Sequence, residues 1–285
     1  MKQSKAQSMR KQLIAIALLI ITAIIMVIFL WSERVAIRDW YSDVQKPVLP
    51  AEQTIIQPGD VPVATTTKAT TTKPQAEPIE PSKNDPVSVT PAVTSSGEFP
   101  KELNLSVPFV LQAPFQNWVL PYEEACEEAS LIMAVNAGKK APTATEADTL
   151  IKALVARQNE LFGDYFHTSA KQTAELAKDF FDVKETRIFP ITSADDIKRE
   201  LAAGHPVLVP ADGKLLKNPN FKNGGPIYHM LLIKGYLADG RWITNDPGTR
   251  NGKDYIYGKE QLLNAIHDWT GDAANGARVG LIVVP

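Results

Sequence analysis

Residues 104–285 are predicted to form an α+β domain, with N-terminal helices packed on an antiparallel sheet, from three observations. Capped segments with helical apolar spacing fill its first half. Short alternating or continuous apolar runs, separated by turn residues, fill its second half. Helices come first and strands later along the chain, which gives the α+β class with an antiparallel sheet. The stretch is also long enough to bury a core of its own.

The elements follow in order. Leu103 to Leu111 reads as an extended lead-in interrupted by Pro108, and a loop runs from Gln112 to Trp118. Glu124 to Ala137 reads as a largely buried helix, carrying Ala129, Leu131, Ile132, Met133 and Val135 and ending at Gly138. Thr143 with Glu146 fits a capping box that opens a helix to about Gln158. A third helix spans Thr168 to about Phe181. Ser193 with Asp196 caps a fourth, which stops at Gly204. Strands are expected at Val183–Phe189, Pro206–Pro210, Tyr228–Leu237, Arg241–Asn245, Lys253–Tyr257 and Arg278–Val284. A short helix from Lys259 to about His267 precedes the last strand.

The rest of the 285-residue chain differs in composition. Residues 13–31 carry no charge. As a helix they span about 28 Å, close to a bilayer core of roughly 30 Å, and predict one transmembrane helix. Lys2, Lys5, Arg10 and Lys11 precede it with no acid among them, whereas Arg34 and Arg38 are interleaved with Glu33 and Asp39. The positive-inside bias puts residues 1–12 in the cytoplasm and the rest outside. A signal peptide would have a shorter apolar stretch and small residues at a cleavage site; Ser32-Glu33-Arg34 is a poor one, which favours an uncleaved anchor. Residues 32–103 are rich in Pro and Thr, have no apolar period, and read as a disordered, extended extracytoplasmic linker.

Charge in the C-terminal domain is mixed, and the whole chain has a net charge of −2. No basic stripe points to nucleic acid. No glycine-rich phosphate loop is present, so no cofactor is expected. The four histidines, 167, 205, 229 and 267, and the one cysteine have no metal-ligand spacing, so no metal is expected either.

That one cysteine is the informative residue. Cys126 cannot make an intrachain disulfide and stands where a loop turns into an apolar helix. A helix N-terminus favours the thiolate, although Glu127 and Glu128 beside it oppose that charge. His229 opens a β pattern far downstream and is a fitting base; Asp246 follows the next strand. A two-residue loop at Asp239-Gly240 would pair Ile233 with Asp246 and put His229 and Asp246 on one face. That register leaves His229 about 13 Å from Ile233, so direct contact requires a longer loop, a bulge, or a bend after Asn245. An oxyanion needs donors. The Cys126 N–H and the Gln112 side chain are the candidates, with Gln116 and Asn117 as competitors. Trp118 and Trp242 are core residues or cleft walls, and His167, His205 and His267 are surface or structural.

The stretches Val110-Leu111-Gln112-Ala113-Pro114-Phe115-Gln116-Asn117-Trp118 and Glu124-Ala125-Cys126-Glu127-Glu128-Ala129-Ser130 resemble the C39-like family of papain-like cysteine peptidases. So do Tyr228-His229-Met230-Leu231-Leu232-Ile233-Lys234-Gly235-Tyr236 and Thr244-Asn245-Asp246-Pro247-Gly248. The resemblance covers the domain from about Leu105 and excludes the anchor and linker. It implies a papain-like cysteine peptidase fold with Cys126 as nucleophile, His229 as base, Asp246 as orienting group and Gln112 as oxyanion donor. Glu127 and Glu128 stand where bacteriocin-processing C39 domains carry glycine after the cysteine, and no transporter segments are in this sequence. Both features speak against leader-peptide cleavage during export. The expected activity is hydrolysis of peptide or amide bonds in a peptide, protein or peptidoglycan-peptide substrate at the bacterial cell surface. The rival is a catalytically silent papain-like module that binds a peptide or cell-wall ligand.

Overall fold

The computed structural model describes residues 13–29, 46–55 and 99–285. They fall into two units, one within Met1–Val48 and the other Leu49–Pro285.

In the first unit, residues 13–29 form helix α1, with every side chain exposed. The Thr22 hydroxyl, its one polar side-chain group, bonds back to the Leu18 and Leu19 carbonyls at 3.0 and 2.9 Å. The structure does not support the expected membrane-spanning helix at 13–31. No helix among the described residues is long and apolar enough to cross a membrane. Residues 1–12, 30 and 31 lie outside the described residues.

In the second unit, α2 (Cys126–Val135), α3 (Ala144–Phe162), α4 (Ala170–Phe180) and α5 (Ala194–Ala202) precede most of the sheet, and α6 (Lys259–Ala265) comes late. The strands are β1 (Leu103–Asn104), β2 (Glu185–Pro190), β3 (Val207–Ala211), β4 (His229–Tyr236), β5 (Trp242–Asn245), β6 (Tyr255–Tyr257) and β7 (Val279–Val284). They form one antiparallel sheet ordered β2-β7-β3-β4-β5-β6, with β1 paired to β4. This is the α+β arrangement expected, and the reason is local. The Thr143–Glu146, Ser169–Gln172 and Ser193–Asp196 boxes satisfy backbone N–H groups that would otherwise lack partners at three helix starts.

The helix α2 lies against β3, β4 and β7 and against α3 and α4, so it is enclosed on every side. Leu131, Ile132 and Met133 are fully buried. Each contributes about 1.5–3 kcal/mol by leaving water. The strand β4 is buried along its whole length, and its first residue is His229.

Most of the expected linker, 32–103, falls outside the described residues. Residues 49–55, however, pack on the domain. Gln53 N–H donates to the Asn104 carbonyl at 2.7 Å and Ser106 N–H donates to the Gln53 carbonyl at 2.9 Å, so this stretch extends the β1 end of the sheet. Glu52 also reaches the fully buried Lys234 ammonium at 2.7 Å, opposite Asp254 at 2.8 Å. A buried ammonium needs such partners, because an unpaired one is costly.

Gly235 is the tightest point of this region. A Cβ there would lie 2.1 Å from the Leu103 carbonyl oxygen and 2.9 Å from the Asn104 Cα. Both are backbone atoms, so neither can swing aside. Gly235→Ala should therefore lower stability by about 1–3 kcal/mol, measured as a lower urea midpoint at unchanged slope. An unchanged midpoint would show that β1 does not bear on β4 so closely.

Candidate active site

The loop before α2 is drawn onto the site from two directions. The Gln112 N–H donates to the Pro247 carbonyl at 3.2 Å, which ties this loop to the turn after Asp246. The buried Gln112 side chain donates both amide hydrogens, to the Tyr122 carbonyl at 2.9 Å and the Glu123 carbonyl at 3.1 Å. Those carbonyls belong to a 3-10 turn, Tyr122–Glu124, that delivers the chain to Cys126. Gln112 is thus tied to the turn that leads into Cys126, with its donors holding that turn and its Oε1 buried without a partner. Its competitors Gln116 and Asn117 are exposed.

Cys126 is the first residue of α2 and is buried. Its thiol donates to Glu127 Oε2 at 3.0 Å. Burial pushes the thiol well above its ordinary pKa, and the charge of Glu127 and the hydrogen bond to it push further; the Met230 backbone opposes them. The helix-start effect expected to favour the thiolate is outweighed here by desolvation and a neighbouring carboxylate.

His229 meets Asp246 directly: Nε2 to Oδ1 is 2.8 Å, with both side chains buried. Two departures from the simplest hairpin make the contact. The loop between Tyr236 and Trp242 is longer than two residues, and it is closed by Leu237 N–H donating to the Arg241 carbonyl at 2.8 Å. A bulge between Ile233 and Gly235 then shifts the register so that Asn245 faces Leu232. Continued one residue past the ladder, that register would set Asp246 level with Leu231 rather than Ile233. It would then lie about 7 Å along β4 from His229 instead of about 13 Å.

Asp246 is fully partnered. Oδ1 also accepts from Gly248 N–H at 3.0 Å, and Oδ2 accepts from Tyr257 Oη at 2.6 Å and Asn218 Nδ2 at 3.1 Å. Burial alone would raise its pKa. The His229 charge, and hydrogen bonds from His229, Tyr257 and Gly248, outweigh burial and hold the carboxylate below its usual range. With Nε2 committed to Asp246, Nδ1 is the ring nitrogen left for another partner. Phe221 stands edge-on to the imidazole, with ring centres 5.2 Å apart. Asn245 points elsewhere, donating to the Val107 and Pro108 carbonyls at 3.2 and 3.3 Å, so it is not the third member of the site.

Sequence reasoning missed Asn218 and Tyr257, whose contacts with Asp246 are non-local; nothing in their neighbourhood marks them. It also missed the burial of Glu127 and Glu128. Glu127 Oε1 accepts from Thr168 N–H at 2.9 Å, and Glu128 accepts from Gln158, whose carbonyl takes the Thr168 hydroxyl. Burial raises both carboxyls. Glu127 reaches about 7, and Glu128 is pushed well up by burial and by Glu127. Trp242 is a core residue and Trp118 is half-buried against the core. His205 pairs with Glu200 at 3.3 Å, His267 faces the Gly276 carbonyl at 3.1 Å, and His167 packs on Trp269. A cavity of about 320 Å³, lined by Ile55, Ala134, Gly204 and Pro285 among others, lies at the end of α2 away from Cys126. Among the described residues no cluster of three or more His, Cys, Asp or Glu is suited to hold a metal.

A cysteine opens a buried helix, and the strand packed against that helix begins with a histidine bonded to a buried aspartate. Residues 104–274 match the Peptidase C39 like family, and the chain belongs to that family. Among solved structures, a Bacillus anthracis protein assigned to the C39-like peptidases is 17% identical. The match covers 65% of this chain and 98% of that one, with a TM-score of 0.43. No curated protein matches the sequence.

Two expectations follow from the site. A Cβ on Gly248 would lie 2.8 Å from His229 Cε1 and 3.3 Å from Asp246 Oδ1. Gly248→Ala should therefore displace the imidazole and lower kcat by roughly tenfold or more with a smaller change in KM; an unaltered kcat would show that the pair tolerates the push. The second concerns stability. The folded-state pKa of Glu127, about 7, lies above the usual carboxyl value. Its contribution is then fully present below about pH 4.3 and is lost as pH rises through 7. Urea unfolding should show wild type losing up to roughly 3 kcal/mol relative to Glu127→Gln between pH 4.5 and 8. Parallel pH curves for the two proteins would contradict the buried, raised carboxyl.

Proposed function

We propose that the domain is a cysteine peptidase or amidase working by a Cys126-His229-Asp246 mechanism. Membership in a peptidase family supports hydrolysis of peptide or protein substrates. The observation that carries the residue roles is the buried 2.8 Å contact between His229 Nε2 and Asp246 Oδ1, on the strand that α2 packs against. In this reading His229 Nδ1 takes the thiol proton, and sulfur attacks the scissile carbonyl. The imidazolium then returns the proton to the leaving amine, and water hydrolyses the thioester with His229 again as base. Asp246 fixes the tautomer and supports the imidazolium without itself changing charge. The first-turn N–H of Cys126 and one Gln112 amide hydrogen, released from its backbone carbonyl, stabilise the oxyanion.

Location belongs to the same proposal. No described helix is long and apolar enough to cross a membrane; the uncharged run 13–31 and the charge asymmetry around it support, from the sequence alone, a single-pass anchor with the domain outside the membrane. That position would give it cell-surface peptides or peptidoglycan stems as substrates. Protease added to spheroplasts should release the domain; full protection would refute this orientation.

The second reading, a silent module that binds a peptide or cell-wall ligand, is favoured by one observation: the thiol hydrogen is directed at Glu127. A mass-spectrometric peptide-library digest separates the two. Wild type should create new termini that Cys126→Ala does not, and Asp246→Asn should cut turnover by roughly tenfold or more while keeping the fold. No cleavage by wild type, with the fold intact and binding to muropeptides retained, would favour the silent module.

A further inference from the structure

We propose that Glu127 is a positioning residue that governs the charge state of Cys126: its carboxylate holds the sulfur as a thiol, and neutralising that carboxylate releases the thiol proton to His229. The inference rests on Cys126 being the nucleophile. It adds a control on that site which the Cys-His-Asp mechanism does not use.

The geometry is that of a built contact. Glu127 is adjacent to Cys126 and is still more enclosed, with 1% of its surface exposed. Its two oxygens have separate tasks. Oε2 accepts from the thiol at 3.0 Å, and Oε1 accepts from Thr168 N–H at 2.9 Å. Thr168 is also held through its carbonyl, which accepts from Tyr228 Oη at 2.9 Å. Tyr228 immediately precedes His229, so the element that fixes Glu127 is tied to the strand that fixes the base. The contact to sulfur is therefore held from both α2 and β4.

The surrounding charges give the contact its sign. From α2 itself, Cys126, Glu128 and the preceding Glu124 bear on Glu127. From β4, the His229 charge favours the carboxylate, and the buried Tyr228 phenol, just before that strand, feels its charge. Beyond Tyr228 stands Asp268. From α3, Gln158 holds Glu128, whose Oε2 is buried without a partner. Burial of two adjacent carboxyls leaves room for one charge at most, and Glu127, near 7, is the member that titrates close to neutrality.

Two states follow. With Glu127 ionised, a thiolate 3 Å away would place two negative charges in contact inside the protein, so the thiol keeps its hydrogen and directs it at Oε2. With Glu127 protonated from solvent, the repulsion is gone. The hydrogen on Sγ passes to Nδ1 of His229 and leaves a thiolate–imidazolium pair. The transfer is internal and conserves protons.

The test is the pH profile of iodoacetamide alkylation on the full-length chain in detergent, where Cys126 is the sole cysteine. Wild type should react fastest on the acid side of neutrality and slow as pH rises through about 7. Glu127→Gln should lack that fall. At pH 8 it should react at least roughly tenfold faster than wild type, and at pH 5.5 the two should agree within about threefold. A folded Glu127→Gln that reacts no faster at pH 8 overturns the inference. So does a wild-type rate that simply climbs through pH 7, which needs no variant and decides the matter if Glu127→Gln fails to fold. A Cys126 that is unreactive in both proteins at every pH overturns the nucleophile reading itself. A reactive Cys126 without the Glu127 effect overturns this inference alone.

Discussion

The complete burial of α2 is the constraint on which the site depends. All ten of its residues are buried, from Cys126 to Val135. Its apolar half is what any core helix would offer. Its first turn is not, because a cysteine and two glutamates enter the interior together. Hydrophobic packing of Leu131, Ile132 and Met133 against the sheet fixes the helix in place, and the polar first turn is then obliged to find partners where that packing leaves it. Thr168, Gln158 and the cysteine itself are those partners. The catalytic candidate is thus placed by the core, and its charge state is set by what the core forced inside with it.

The sheet contributes the other half by a defect rather than by regularity. A uniform β4–β5 ladder would leave Asp246 too far along the strand from His229. The longer loop and the bulge at Lys234 together close that distance, and the bulge has its own cost: an ammonium fully buried there. Asp254 and Glu52 neutralise it. Glu52 comes from residues 49–55, outside the bounds that the sequence suggests for the domain. An electrostatic partner far from the site in sequence therefore supports the register on which the His229–Asp246 contact rests.

The helices and strands were legible because their signals are local. Thr143 with Glu146 announces a capping box without reference to anything distant, and alternation places His229 and Asp246 on one face. The contact between them was legible only as a condition, since a bulge at Lys234 leaves no mark in a run such as Leu231-Leu232-Ile233-Lys234-Gly235. Asn218 and Tyr257 were not legible, because the carboxylate they serve is remote in sequence. Glu127 and Glu128 misled for a physical reason: acidic residues in a first helical turn usually face solvent, and only the fold shows that this turn has no solvent to face. Gln53 was hidden by the Pro- and Thr-rich composition around it, although backbone hydrogen bonding, which needs no particular side chain, ties it to Asn104 and Ser106.

The central claim is that Cys126 attacks carbonyl carbon with His229 as its proton partner. The most direct measurement is a crystal structure of the protein treated with a peptide aldehyde, which forms a hemithioacetal with an attacking sulfur. The account predicts a covalent bond from Cys126 Sγ to the aldehyde carbon, with the new oxygen facing the Cys126 N–H and His229 Nδ1 within hydrogen-bond distance of the adduct. A site that remains unmodified at saturating aldehyde, with the thiol still directed at Glu127, would contradict it.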